Sequence, residues 1–256
     1  MTIEVSSVSY LKNKKLILDE ISFEIESGEI LCILGPNGSG KSTLLNLISG
    51  NLSPTKGDIY IEGQNIKNIS IEERAFIRSV MSQSQAIVFD FTVREIVEMG
   101  WLQRGLINFS QNFEEAFSRA INDAAIGDLI DKKFNILSGG EQRRVHFART
   151  LLQSWRPSNS VEPKYLLLDE PTANLDIKHE QRLMKIVKKK AEDGIGVIVI
   201  LHDINLAAKY SDKILILDSG TMKNFGKTFD VLNKEILEEV YDLPIEISDN
   251  PFRVIY

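Results

Sequence analysis

The sequence Gly35-Pro36-Asn37-Gly38-Ser39-Gly40-Lys41-Ser42 matches the pattern G-x-x-x-x-G-K-[ST] at every fixed position. It follows the apolar run Ile30–Leu34 and precedes a helical pattern that begins at Thr43. In this context of strand, glycine-rich loop and helix, successive backbone N–H groups turn inward and the helix N-terminus adds a partial positive charge. The stretch therefore predicts that the chain binds the phosphates of a nucleoside triphosphate.

Two side chains of this loop are also expected to act on the nucleotide, in addition to the backbone N–H groups. Lys41 is placed to reach the β- and γ-phosphates, and the hydroxyl of Ser42 is placed to hold Mg²⁺. The alternative interpretation is a glycine turn with an incidental lysine. The strand and helix patterns on either side favour the phosphate-binding loop.

Size and hydropathy favour one large domain, or one domain with a small appended lobe. The chain has 256 residues, and 43% of them are hydrophobic. The longest apolar runs, such as Val197–Leu201, are as short as a strand, so we expect no segment that spans a bilayer. The N-terminal residues Met1–Val5 lack the basic start and apolar core of a signal peptide.

Charge and cysteine content narrow the expected location and partners. The formal net charge is −6, which disfavours nucleic acid as the main partner. The one cysteine, Cys32, lies inside a predicted buried strand, which indicates a reducing compartment without a disulfide framework. We therefore expect a soluble cytoplasmic protein.

Two kinds of strand pattern indicate an α/β architecture. The first 30 residues alternate between apolar and polar side chains, which is typical of antiparallel strands with one solvated face. Later strands are continuous apolar runs, as in a parallel sheet covered on both faces, and Tyr165–Leu168, Val197–Leu201 and Lys213–Leu217 are the clearest. Helical patterns separate these runs, as βαβ units require.

Residues 91–135 have helical patterns and few strand signals. Thr92 and Glu95 have the spacing of a capping box, and a second helix is predicted over Asn112–Ala125. We interpret this stretch as a helical subdomain inserted into a core formed by residues 1–90 and 136–256.

Shorter features are predicted near the C-terminal end and within the core. The polar, proline-containing stretch Ser154–Pro163 is predicted to be a loop. The tail after Asn233 is predicted to hold a short helix ending near Tyr241, followed by strands at Ile245–Ile247 and Arg253–Ile255.

Two adjacent acids end the apolar strand pattern Leu166–Glu170. This places two carboxylates at the carboxyl edge of the sheet, where ligands bind in open α/β folds. Asp169 suits a Mg²⁺ partner, and Glu170 suits a general base aimed at the attacking water. The alternative is that both are ordinary acidic turn residues.

A third motif, Leu137–Arg144, contains a helix start. Ser138 and Glu141 have the spacing of a capping box, so the Ser138-Gly139-Gly140 stretch is a helix N-terminus with exposed N–H groups. This is a second anion site, and one chain rarely needs two for a single triphosphate. The alternative is an ordinary helix cap.

In the content and order of these motifs, almost the whole chain resembles the nucleotide-binding subunits of ATP-binding cassette (ABC) transporters. Residues 35–42 resemble the Walker A motif, Leu137–Glu141 the signature motif, and Leu166–Glu170 the Walker B motif. Gln83 resembles the Q-loop, Ala173–Asp176 the D-loop, and His202 the switch histidine. Tyr10 resembles the aromatic residue that stacks on adenine.

The resemblance implies a single α/β domain over residues 1–256: a P-loop NTPase (ABC ATPase) with an N-terminal antiparallel β subdomain, a parallel-sheet core and an inserted helical subdomain. It implies that ATP is bound by Tyr10, Gly35, Pro36, Asn37, Gly38, Ser39, Gly40, Lys41, Ser42, Thr43, Gln83 and Asp169. It implies Mg²⁺ contacts from Ser42, Gln83 and Asp169, and catalytic roles for Glu170 and His202. The residues implied to act on the nucleotide of a second chain are Leu137, Ser138, Gly139, Gly140 and Glu141, with Asp176 in the D-loop.

The resemblance also implies partners. Two copies form a head-to-tail homodimer, in which each ATP lies between Walker A of one chain and Ser138 and Gly140 of the other. Such a dimer serves polytopic transmembrane permease subunits, and indirectly a substrate-binding protein, at the cytoplasmic face of a bacterial inner membrane. Nucleic acid is not an expected partner.

Three further segments point to one group of transporters. Phe89–Val97 and Leu201–Ala208 resemble importers of iron chelates, haem and cobalamin. An insertion between Arg149 and Asp169, including Leu152–Trp155, resembles haem-importer ATPases. The alternative is that surface loops vary freely.

The expected function is ATP hydrolysis that powers import of haem or an iron chelate. Other classes stay open at this point: a non-transport ABC ATPase, such as one for iron–sulfur assembly, a chromosome-structure ATPase, or a simple kinase. The long heptad arms of chromosome ATPases are absent from the sequence, and a kinase leaves the signature motif unexplained.

Overall fold

The computed structural model describes residues 2–83, 87, 89–101, 112–156, 164–249 and 252–255. The strands, in chain order, are β1 (Thr2–Lys12), β2 (Lys15–Glu26), β3 (Ile30–Leu34), β4 (Lys56–Ile61), β5 (Gln64–Asn65), β6 (Arg78–Met81), β7 (Tyr165–Asp169), β8 (Gly196–Ile200), β9 (Lys213–Asp218), β10 (Thr221–Lys227), β11 (Glu246–Asp249) and β12 (Phe252–Ile255). The α-helices are α1 (Lys41–Ile48), α2 (Ile71–Ile77), α3 (Val93–Glu98), α4 (Phe113–Ala124), α5 (Gly139–Ser154), α6 (Ile177–Glu192), α7 (Ile204–Tyr210), α8 (Thr228–Val231) and α9 (Lys234–Tyr241). Short 3₁₀ turns lie at Ile66–Asn68, Gly127–Leu129 and Phe134–Ile136.

A six-stranded sheet in the order β10-β9-β3-β8-β7-β6 forms the centre of the molecule. The five strands from β9 to β6 pair in parallel, and β10 is antiparallel to β9. Every residue of β3, β7 and β8 is buried, which confirms the expectation from their continuous apolar runs. Since parallel strands end at the same edge, the sheet brings the segments after β3, β6, β7 and β8 together.

The N-terminal strands form a separate antiparallel sheet in the order β2-β1-β4-β5. Buried and exposed side chains alternate along most of β2, as the sequence pattern predicts for a sheet with one solvated face. The buried side chains, such as Ile3 and Ile59, share one apolar cluster with Leu44 and Leu47 of α1. This packing fixes α1, and the phosphate-binding loop before it, between the two sheets.

The segment predicted as an inserted subdomain is mainly helical in its described parts, residues 91–101 and 112–135, and residues 102–111 lie outside the described residues. The capping box that opens α3 is present, with Thr92 and Glu95 bonded reciprocally, and α4 occupies all but the ends of the predicted helix. Ala116, Phe117 and Ala120 of α4 pack into the cluster that also contains the inner face of α5. The exact subdomain boundaries at residues 91 and 135 stay a prediction.

The C-terminal part follows the predicted order, and one loop boundary is corrected. Helix α9 ends at Tyr241, and β11 and β12 pair as an antiparallel hairpin. The predicted loop over Ser154–Pro163 starts too early, because α5 continues through Ser154, whose buried hydroxyl donates to the carbonyl of Leu151. Residues 157–163 of that loop lie outside the described residues. In the part of the chain that the structure describes, no helix is long and apolar enough to cross a membrane.

Candidate functional site

The phosphate-binding loop joins the end of β3 to the start of α1, and its shape depends on glycine. Gly35 and Gly40 have φ values of 145° and 105°, in the region that favours glycine. A Cβ at Gly35 would lie 1.9 Å from the carbonyl oxygen of Leu217, and one at Gly40 would lie 2.7 Å from Cδ2 of Leu18. The neighbouring strands therefore hold the loop close, and only glycine fits at these two positions.

Polar atoms inside the loop suit a chain of phosphates. The Lys41 ammonium donates to the carbonyl oxygens of Gly35 and Pro36, both at 2.8 Å, and the residue is only 5% exposed. Burial lowers the pKa of Lys41, and the carboxylates of Glu170 and Asp169 oppose that shift. The hydroxyl of Ser39 is buried without a hydrogen-bond partner among the described residues. A confined cation and an unpartnered hydroxyl beside glycine N–H groups fit an anionic ligand.

Ser42 and Asp169 bring two oxygen atoms together where α1 meets the end of β7. The Ser42 hydroxyl donates to Oδ1 of Asp169 at 3.2 Å. Burial raises the pKa of the Asp169 carboxyl, and the hydrogen bond from Ser42 opposes this change. Hydroxyl and carboxylate oxygens are suitable Mg²⁺ ligands. No group of three or more His, Cys, Asp or Glu side chains forms a metal site within the described residues.

The carboxylate of Glu170 is the meeting point of three strand ends. Gln83, after β6, donates from Nε2 to Oε2 of Glu170 at 3.0 Å, and Nε2 of His202, after β8, lies 2.7 Å from Oε1. The structure thus brings together three residues that the sequence predicts to act on one nucleotide. Glu170 also has a left-handed φ of 50°, a conformation that costs about 1–2 kcal/mol for a residue other than glycine. The surrounding contacts must offset this cost.

One of these contacts comes from Arg143, a residue to which the sequence analysis assigned no role. Its guanidinium donates to the carbonyl oxygens of Gln83 at 2.6 Å, Asp169 at 2.8 Å and Glu170 at 3.0 Å from Nε, with a further bond from Nη2 to Glu170. Arg143 is 8% exposed and lies one helical turn before the buried Phe147. This spacing is the sequence signal that could have identified Arg143 as a site residue, because it places a charged side chain on the buried face of α5.

The signature motif lies at the exposed N-terminal tip of α5. The Ser138 hydroxyl accepts from the N–H of Glu141 at 3.4 Å, and the Glu141 carboxylate accepts from the N–H of Ser138 at 2.8 Å, so the predicted capping box is present. The Ser138 hydroxyl also donates to the Glu141 carboxylate at 2.7 Å, and this bond, together with that from the Ser138 N–H, lowers the pKa of Glu141. Ser138 and Gly139 are exposed, and Leu137 beneath them is buried.

A surface cleft is lined both by residues of this tip and by residues of the predicted D-loop. It is lined by Ser138, Gly139, Gly140, Glu141, Arg144, Asn174, Leu175, Asp176 and His179. A Cβ at Gly140 would lie 2.7 Å from the carbonyl oxygen of Asn174, so glycine is needed for the close packing of these two segments. Asp176 caps α6 by accepting from the N–H of His179 at 2.8 Å. The cleft has no lining residue from the phosphate-binding loop.

The remaining predicted ligands lie on or next to the loop. Asn37 and Gly38 are exposed at its outer turn, and Thr43 is half-buried in the first turn of α1. Tyr10 is half-buried on β1 and pairs with Leu18, the residue that packs against Gly40. These positions keep Tyr10 near the loop, and the role assigned to it stays a prediction.

Comparisons with known proteins agree with this arrangement. A family model described as ABC transporter matches residues 18–173. The "Hemin import ATP-binding protein HmuV" of Rhodopseudomonas palustris (strain BisA53) is 37% identical over 245 residues, which cover 96% of this chain and 89% of that protein. The protein of the same name from Hydrogenovibrio crunogenus (strain DSM 25203 / XCL-2) is 39% identical, over 92% of this chain and 91% of its own.

Solved structures of two ATP-binding cassettes have the same fold. The dimeric post-hydrolysis state of the ATP-binding cassette MJ0796 bound to ADP and Pi has a TM-score of 0.76 and 29% identity, covering 88% of this chain and 98% of that one. A bacterial Atm1-family ABC exporter with ATP bound has a TM-score of 0.79 and 27% identity, covering 94% of this chain and 41% of that one. From its motifs, its fold and its relatives, the chain belongs to the ABC transporter family, as one of its ATP-hydrolysing subunits.

Proposed function

We propose that this chain powers a membrane importer whose cargo is haem or another iron chelate. The observation that carries the proposal is the junction of Gln83, Glu170 and His202 beside the Ser42–Asp169 pair, on a chain whose relatives are named hemin import proteins. Non-transport ABC ATPases share the hydrolytic motifs, but no observation favours that class here.

Each residue of the junction has a role in this proposal. Glu170 accepts a proton from the attacking water, and His202, 2.7 Å from its carboxylate, holds that water and the γ-phosphate in line. Lys41 neutralises the phosphates as a cation confined by the loop. Ser42 and Asp169, with Gln83 as a third oxygen donor, would hold Mg²⁺, which when bound would supply positive charge against the negative charge that develops on the phosphates.

The second half of the site is proposed to come from a second copy of the chain. At the tip, Ser138 and Gly139 are exposed and Gly140 is half-buried, and the helix N-terminus favours an anion. A related cassette, MJ0796, is dimeric in its solved structure. ATP then joins two chains head to tail, and loss of the γ-phosphate lets them separate.

The membrane partner is proposed to be a polytopic permease, served indirectly by a substrate-binding protein. In this arrangement the chain binds peripherally at the cytoplasmic face of a bacterial inner membrane. The surface that carries Phe89 suits the permease contact, because this side chain is 72% exposed and the nearby Gln83 donates to the carboxylate of Glu170.

A growth experiment in the source organism tests the cargo. The gene is deleted and restored either as the wild type or as Glu170→Gln. With haem as the iron source, we expect growth to return only with the wild type, whereas a simple iron salt supports all strains. A ferric chelate and cobalamin, supplied in parallel, test the other cargoes of the importer group. If the deletion strain grew normally on every one of these nutrients, the importer proposal would be wrong.

A biochemical experiment tests the partner. The tagged chain is purified from detergent-solubilised membranes, with Ser70→Ala as a surface variant that leaves the surface around Phe89 unchanged. We expect a polytopic membrane protein to co-purify in stoichiometric amount with both, and to stimulate ATP hydrolysis. Hydrolysis by a chain that never associates with a membrane protein would favour the non-transport class instead.

A further inference from the structure

We propose that Arg143 is a positioning residue that couples the two nucleotide sites of the dimer. It connects the turn carrying Glu170, which serves the nucleotide of its own chain, to helix α5, whose tip meets the nucleotide of the partner. This inference rests on the proposed function and adds to it a physical link between the two sites.

The contacts of Arg143 are concentrated on two residues of the hydrolytic junction. Its guanidinium bonds the backbone carbonyls of Gln83 and Glu170, the same residues whose side chains bond each other at 3.0 Å. A third carbonyl, that of Asp169, accepts from Nη2 at 2.8 Å. One planar group with five donors in a fixed fork therefore holds both backbones, and through them the direction of the Glu170 carboxylate.

Because of its backbone conformation, Glu170 depends on the hydrogen bonds from Arg143. With φ at 50°, its backbone is in the left-handed region, and the carbonyls on both sides of that turn accept from Arg143. Without these bonds the turn can relax toward an ordinary conformation. Such relaxation would move the carboxylate away from Gln83 and His202 without changing the phosphate-binding loop.

Helix α5 makes the same residue sensitive to the partner's nucleotide. Arg143 lies five residues after Ser138, which is about 7–8 Å along the helix axis. Buried side chains on either side of it, Leu137 and Phe147, hold the first turns of α5 in the core. A shift of the helix tip on contact with the partner's γ-phosphate is therefore transmitted to the guanidinium, and from there to Glu170.

Arg182 provides a matched control. It also binds backbone carbonyls through its guanidinium, donating to Asp123 at 3.1 Å and to Asn122, but these lie at the end of α4. Arg182 is exposed on α6 and contacts no residue of the hydrolytic junction in the described structure. Arg182→Met therefore shows the effect of losing an arginine-to-carbonyl contact away from the junction, and Arg143→Met shows the effect of losing it at the junction.

The experiment measures ATP hydrolysis by full-length Arg143→Met, Arg143→Lys and Arg182→Met, together with ADP binding. For Arg143→Met we expect kcat to fall about 10- to 100-fold, as for a displaced catalytic group, with the Kd for ADP within about twofold of the wild type. Cooperativity is the specific readout. Two coupled sites can raise the Hill coefficient of the wild type to about 2, and in Arg143→Met the coefficient should approach 1. Arg143→Lys, which keeps the charge but not the fork, should be intermediate.

Three outcomes would overturn the inference. They are unchanged kcat and cooperativity in Arg143→Met, weakened ADP binding in proportion to kcat, and an equal loss in Arg182→Met. If Arg143→Met does not fold, the same comparison between Arg143→Lys and the wild type decides the matter. Glu170→Gln distinguishes a failure of the proposed function from a failure of this inference. Full hydrolysis in that variant would mean that the junction of Gln83, Glu170 and His202 does not catalyse hydrolysis.

Discussion

The two regions of this chain that are proposed to bind the nucleotide differ in which contacts hold them in place. In the phosphate-binding pocket, side chains far apart in sequence bond each other: Ser42 and Asp169 are 127 residues apart, and Gln83 and Glu170 are 87 apart. At the signature tip, Ser138 and Glu141 bond only across three residues of one helix. The first region is therefore organised by the fold of one chain.

Exposure shows the same contrast. Lys41 and Asp169 are 5% and 3% exposed, whereas Ser138 and Gly139 are exposed at the end of their helix. A helix tip with local hydrogen bonds and outward N–H groups is stable before any partner arrives. In the proposed dimer, one half of the site is therefore preorganised inside the chain and the other half is a surface that recognises the partner's nucleotide.

The largest expected effect is on chemistry in the preorganised half. Glu170→Gln keeps the shape of the side chain but removes its ability to accept a proton. We expect kcat to fall about 1,000-fold, with ATP still bound and a nucleotide-bound dimer accumulating. Steady-state hydrolysis and size-exclusion chromatography with ATP measure both effects. Undiminished turnover would exclude Glu170 as the base.

The next largest effect is expected for a substitution at the signature tip, which should change hydrolysis but not nucleotide binding by the single chain. Ser138→Arg places a long cation at the exposed tip and should prevent closure of the dimer, lowering hydrolysis about 100-fold by removing one side of the site. Binding of ADP to the monomer should stay within about twofold of the wild type, as measured by equilibrium titration. Loss of ADP binding to the monomer would mean that the tip belongs to the nucleotide site of its own chain.

Lys41→Ala tests the pocket of the single chain. Removing a charge-assisted contact to phosphate should weaken ATP binding by about 10- to 100-fold. The same titration on the monomer measures it, and Lys67→Ala, which removes an exposed ion pair with Asp58, serves as the control. Equal affinity in Lys41→Ala and the wild type would contradict the assignment of this loop.

The smallest effect compares two capping boxes of the same chemistry. Ser70 caps α2 with Glu73 as Ser138 caps α5 with Glu141. Each Ser→Ala change should lower the free energy of unfolding by about 1 kcal/mol, measured by denaturant titration. Only Ser138→Ala should also reduce ATP hydrolysis. If Ser70→Ala reduced hydrolysis equally, the role of Ser138 would be no more than that of a cap.

Much of the fold and of the site was predictable from local sequence patterns. The strand, loop and helix around Gly35–Ser42, the capping boxes at Thr92 and Ser138, and the acids that end β7 follow from residue types at short spacings. Such features depend on backbone conformations and hydrogen bonds within a few residues, and those preferences are present in the sequence itself. Helix α5 departed from its pattern at Ser154, where burial outweighs local polarity.

The pairing of distant groups depends on tertiary packing. Nothing local marks the carbonyls of Gln83, Asp169 and Glu170 as the partners of Arg143, because every residue has a carbonyl and the choice depends on the paths of β6 and β7 past α5. The need for glycine at 140 likewise arises from the backbone of Asn174, in a different segment. Residue types and their spacing along the chain thus specify the local chemistry of this protein. The packing of strand ends against α5 orients that chemistry, because orientation depends on contacts between segments far apart in the chain.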